Sequence, residues 1–127
     1  MTRLVSAMAE KDPLKVLQAA REFRQQVIAL ARKFPRHAPP GLRAQLVKAA
    51  RSVSSNIAEG MGRGTDAEMI RYSSMANGSL EESQTHLREC VNTHLIDRKT
   101  FYKSWNLSVA ISRMLAALIE YHKGKSD

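Results

Sequence analysis

The sequence predicts an all-α protein, an antiparallel up-and-down four-helix bundle, and three observations carry that prediction. Alanine, leucine, arginine and glutamate are plentiful, whereas proline is scarce away from residues 35–40 and glycine clusters at 60–64. Apolar residues recur at helical spacing in four separate segments. Each segment is bounded by a capping residue, a proline or a glycine. At 127 residues the chain is one domain with a modest core. Helices are expected over about 13–34, 40–59, 66–95 and 98–122, with flexible ends at 1–11 and 123–127.

Asp12 followed by Pro13 is an N-cap with proline at the first helical position. Pro35 stops the first helix near Phe34. Val16, Phe23, Val27, Leu30 and Phe34 form its apolar stripe, with Arg24 inside it. Arg24 either snorkels to the edge or makes a buried ion pair, Glu59 and Glu82 being the first partners to test.

On the second helix, Leu42, Leu46, Ala49, Val53, Asn56, Ile57 and Gly60 collect on one side. Arg43, Val47, Lys48, Arg51, Ser54 and Ser55 collect opposite. Gly60, Gly62 and Gly64 are expected to close this helix through positive-φ conformations. Thr65-Asp-Ala-Glu68 reads as a capping box that starts the next helix.

The third helix turns Met69, Tyr72, Ala76, Leu80, Leu87, Cys90 and Val91 inward. Gly78 lands on its outer side, where an exposed glycine costs ~1 kcal/mol relative to alanine. A partner packed against that backbone would account for it; a tolerated defect is the alternative.

Asp97 caps the fourth helix. Phe101, Trp105, Ser108, Ser112, Leu115, Ala116 and Ile119 form one face, and Leu107, Ile111, Met114, Leu118 and Tyr121 a second. Two apolar faces predict self-association through the second set.

The net charge is +8 and the pI near 10.1, so acidic partners come first. No acid falls between Glu22 and Glu59, a stretch holding Arg24, Arg32, Lys33, Arg36, Arg43, Lys48 and Arg51. Such a run is what phosphate binding requires. It is equally compatible with a solvated face, or with pairing to the acidic third helix of a neighbouring subunit. Stacking aromatics are absent from it, which speaks against reading of unpaired bases.

Other chemistries find little support. His86, Cys90 and His94 step along one flank by four residues, but His86 and His94 are separated by ~12 Å of helix rise, so no metal or other cofactor is expected. Glu81 and Glu82 diverge on a helix, and Glu59 with Arg63 reads as a local ion pair. Ser54 and Ser55 lack a neighbouring histidine, and no P-loop lysine follows the glycines, so no enzyme is expected. The lone Cys90 fits a reducing cytoplasm, and no signal peptide or membrane span is evident.

Phe34-Pro35, Gly41-Leu-Arg-Ala-Gln-Leu46, Ala49-Ala50, Ser52, Asn56-Ile-Ala-Glu-Gly60, Gly62-Arg63 and Gly78-Ser-Leu-Glu-Glu82 resemble the four-helix-bundle family of 23S rRNA intervening-sequence proteins. The likeness spans about residues 14–121. Its most specific run is Ser-x-x-x-Asn-Ile-Ala-Glu-Gly-x-Gly-Arg. Val47-Lys48 stands where the family usually has paired arginines. The resemblance implies a small bacterial bundle assembling as a ring, typically a homopentamer. The fold is also similar to accessory proteins of diversity-generating retroelements, basic pentamers that bind nucleic acid and a reverse transcriptase. In this light Asn56, Glu59, Gly60, Gly62, Arg63 and Gly78 are a structural signature.

The expectation is therefore a non-enzymatic homo-oligomer that binds RNA or DNA through Arg32, Lys33, Arg36, Arg43, Lys48 and Arg51. A scaffold for a protein partner, such as a polymerase or reverse transcriptase, is the alternative.

Overall fold

The computed structural model describes residues 12–126, so the expected flexible stretch 1–11 and Asp127 lie outside the described residues. The described residues form four helices: α1 (Pro13–Arg32), α2 (Leu42–Arg63), α3 (Asp66–Asn92) and α4 (Arg98–Ser126). They form a four-helix bundle in which α1 packs on α2, α2 on α3, α3 on α4, and α4 back on α1. The α1–α4 seam is the least intimate of the four and α2–α3 the closest. No helix among the described residues is long and apolar enough to cross a membrane.

The helix starts follow local capping chemistry. Asp12 Oδ1 accepts from Leu14 N at 2.9 Å, with Pro13 in the first turn. Thr65 Oγ1 accepts from Glu68 N at 3.2 Å. Asp97 Oδ1 accepts from Thr100 N at 2.7 Å. Hydrogen bonds from the Thr100 amide and side chain hold the Asp97 carboxyl below its ordinary range.

The helix ends depart from expectation. Pro35 does not carry α1 to Phe34; the helix closes at Arg32, and Lys33 N donates to Leu30 O. α2 begins at Leu42, behind a left-handed Gly41 (φ 85°). It passes straight through Gly60 and Gly62, because only Gly64 (φ 79°) takes the left-handed conformation that closes it. Gly60 serves packing instead: a Cβ there would lie 3.0 Å from Tyr72 Cβ and 3.1 Å from Met69 Cε. α3 stops at Asn92, short of Leu95, and His94 beyond it has φ 62°. α4 runs on through Ser126, so the stretch expected to be flexible from residue 123 is helical to that point.

The core joins Val16, Phe23 and Val27 of α1 to Leu46, Val53 and Ile57 of α2, Leu80 and Leu87 of α3, and Ile111, Leu115 and Leu118 of α4. Here the two-faced reading of α4 needs correction. Phe101, Ser104, Ser108, Ile111, Leu115 and Leu118 are all buried within the single chain. These positions are spaced alternately by three and four residues, a seam running between the two predicted faces. Ile111 and Leu118 are therefore core residues and cannot form an intersubunit surface. Leu107 and Met114 are partly buried against the core, and Tyr121 remains exposed.

Candidate nucleic-acid interface

Arg32 and Lys33 end α1, Arg36 lies in the connection to α2, and Lys48 and Arg51 stand one turn apart on α2; all five are exposed. None lies within 4 Å of a carboxylate among the described residues. The ion pairs found there are Glu59–Arg63, Glu68–Arg71, Glu82–His86, Glu120–Lys123, and Asp66 with His122 and Lys125. They fall on the end of α2, on α3 and on the end of α4, leaving Arg32, Lys33, Arg36, Lys48 and Arg51 without an ion pair among the described residues.

Arg43 differs. Its Nε donates to Ala31 O at 2.8 Å and its Nη2 to Phe34 O at 3.4 Å, with the guanidinium 5.6 Å from the Phe34 ring centroid. Carbonyls at a helix C-terminus lack intrahelical donors, and Arg43 adds one to Ala31 O, which also accepts from Phe34 N at 3.2 Å, and one to Phe34 O just beyond α1. Its charge is committed to the α1–α2 corner. Arg24 makes neither predicted ion pair; its Nη1 reaches Ser54 Oγ at 3.5 Å. Ser54, assigned above to the outer face, is buried, and its hydroxyl donates to Arg51 O at 3.2 Å.

Three further cations escaped notice in the sequence. Lys99 and Lys103 of α4 share a groove of about 490 Å³ with Lys33, Gln25 and Gln26 of α1. Arg98 stands beside them on the next cleft of the same end. The i, i+4 spacing of Lys99 and Lys103 places both on one helical face, a signal that was present in the sequence.

The glycine-rich signature assembles on the α2–α3 contact. Asn56 Nδ2 donates to Ser52 O at 2.9 Å and to Ser52 Oγ at 3.1 Å, and Ser79 Oγ of α3 donates to the same hydroxyl at 2.8 Å. Arg63 Nε donates to Glu59 Oε2 at 2.9 Å, while its Nη2 donates to Tyr72 Oη at 3.0 Å. The Arg63 charge also lies 5.4 Å from the Tyr72 ring centroid. Tyr72, pressed against Gly60, thus ties the end of α2 to α3. A model of the 23S rRNA-intervening sequence proteins matches residues 12–117 of this chain. The chain belongs to that family. A solved member of the S23 ribosomal protein family, a protein of unknown function from Bacteroides thetaiotaomicron, has a similar fold. The TM-score is 0.76 at 21% identity, over 82% of this chain and 97% of that one. No curated protein matches the chain. Within this intervening-sequence protein, Gly62 and Gly78 face open space, a Cβ at either meeting nothing within 4 Å among the described residues, so no contact there requires glycine.

The potential metal ligands do not converge. Cys90 is fully buried, and burial pushes its thiol up to about 11. His86 lies 3.6 Å from Glu82, while His94 falls off the flank because α3 ends before it.

Proposed function

We propose that this intervening-sequence family member is a non-enzymatic, cytoplasmic homo-oligomer that binds RNA or DNA through the phosphate backbone. Its helices run antiparallel, up and down, and copies assemble in a ring of about five, in line with the family resemblance. The observation that carries the reading is the exposed set Arg32, Lys33, Arg36, Lys48 and Arg51, un-neutralised by any carboxylate within 4 Å among the described residues. Cations in that state release condensed counterions when they meet phosphates, which supplies sequence-independent affinity. Arg43, held by Ala31 O and Phe34 O, contributes least. Copies meet through Leu107, Met114 and Tyr121 of α4 and through the bare backbone at Gly78, beside exposed Met75.

Reversing Arg36, Lys48 and Arg51 together to glutamate tests the binding. Fluorescence anisotropy with labelled RNA and DNA should show binding strongly weakened, with a shallower salt dependence, while helical content stays intact. Equal binding by the reversed variant would remove Arg36, Lys48 and Arg51 from the interface, and a wild type that binds neither RNA nor DNA at low salt would sink the nucleic-acid reading. Recovery of a protein partner after nuclease treatment, lost in the same variant, would favour the scaffold alternative.

A further inference from the structure

The groove between α1 and α4 is distinct from the outer face of α2 that carries Lys48 and Arg51, because α1 stands between α2 and α4 in the bundle. One wall is Gln25, Gln26, Ala29 and Lys33; the other is Lys99, Thr100, Lys103 and Ser104. It exists because the α1–α4 seam is loosely packed, and its floor is pinned by Ser104 Oγ donating to Gln26 Oε1 at 3.0 Å. Two carboxylates flank it: Glu22 accepts from Gln26 Nε2 at 3.3 Å, and Asp97, which caps α4, also feels the charge of Lys99. Neither lies within 4 Å of Lys33, Lys99 or Lys103. Three lysines from two helices therefore line one cleft, and none of them has a carboxylate within 4 Å among the described residues.

Resting on the nucleic-acid reading above, we propose that this groove seats the phosphodiester backbone of a single-stranded nucleic acid, gripped by Lys33 from one side and Lys99 and Lys103 from the other. Three lysines without an arginine fork suit phosphates met as point charges rather than a planar ligand. A flexible single strand can bend into a cleft between two helices, whereas a rigid duplex is too wide to enter it.

The test is the salt dependence of binding to labelled oligouridylate and oligothymidylate, measured for the wild type and for the K33Q/K99Q/K103Q variant. Single-strand affinity falls with log salt at a slope of about −0.7 per phosphate neutralised. The triple variant should bind about tenfold or more weakly at low salt, with its slope reduced by about 2. All three residues are exposed, so circular dichroism and thermal midpoint should not change. A K33Q/K99Q/K103Q protein with wild-type affinity and slope overturns the groove; loss in R36Q/K48Q/R51Q alone would then leave the broader reading standing. Duplex that competes as well as single strand also overturns the groove assignment. A wild type that binds no nucleic acid at low salt ends both proposals.

Discussion

Replacing Gly60 by alanine tests the α2–α3 clamp, because two opposing effects can be sized from the geometry. Alanine in mid-helix is favoured over glycine by ~1 kcal/mol. Against this, the added Cβ arrives 3.0 Å from Tyr72 Cβ, 3.1 Å from Met69 Cε and 3.5 Å from Met69 Sδ. The methionine end can swing aside. Tyr72 Cβ is fixed to the α3 backbone, so α2 and α3 must part by several tenths of an ångström. That displacement also stretches the 3.0 Å Arg63–Tyr72 hydrogen bond. Overpacking of this kind costs ~1–3 kcal/mol, which leaves Gly60→Ala less stable than wild type by about 1 kcal/mol. Gly62→Ala is the control, since its Cβ meets nothing within 4 Å and only the propensity gain remains. Urea unfolding of the two variants, at matched protein concentration, should move them to opposite sides of wild type. Gly60→Ala as stable as Gly62→Ala would refute the close approach of the helices.

Leu118→Arg buries a charge at a position with no exposure, so it should abolish the cooperative unfolding transition. Leu118→Ala should cost ~2–5 kcal/mol. A folded Leu118→Arg protein of smaller mass would restore Leu118 to an interface. Arg43→Gln removes the guanidinium bonds to Ala31 O and Phe34 O and should lower stability by about 1 kcal/mol, while weakening nucleic-acid binding less than Lys48→Gln; anisotropy and urea melts together check both. Cys90 keeps its proton in the fold up to about pH 11, whereas the unfolded thiol loses it near its ordinary value of 9.0. The unfolded state therefore binds fewer protons across that window, and stability falls as pH rises from about 9 to about 11. Cys90→Ala should lack that part of the fall when melts are compared across the range. Gly78→Leu, which adds bulk where the chain itself leaves space, should lower the assembled mass in light scattering without loss of helix; an unchanged mass would remove Gly78 from the interface.

The sequence made the helix starts legible, because Asp12, Thr65 and Asp97 act through hydrogen bonds two or three residues away. Helix ends were harder. Gly60 looked like a breaker, yet its purpose is a contact with Tyr72 twelve residues on, which a local pattern cannot display. The two predicted α4 faces divide the buried seam because one of its members, Ser104, is polar and belongs to neither face. Without it the flanks read as two separate apolar faces. Arg43 reads as free for a ligand in sequence, since its acceptors, Ala31 O and Phe34 O, are brought near only by the turn at residues 33–41. The acid-free run drew attention to residues 24–51 and away from Lys99 and Lys103, which reach Lys33 only through the packing of α4 on α1.

The central claim, an oligomer that carries nucleic acid on un-neutralised cations, is tested most directly by purifying the full chain at low salt without nuclease. Mass and ultraviolet absorbance are then read on the same peak. The account predicts a mass several times the 14.2 kDa of one chain, with excess absorbance at nucleic-acid wavelengths that disappears in high salt. A single-chain mass with a protein-only spectrum at low salt would contradict it.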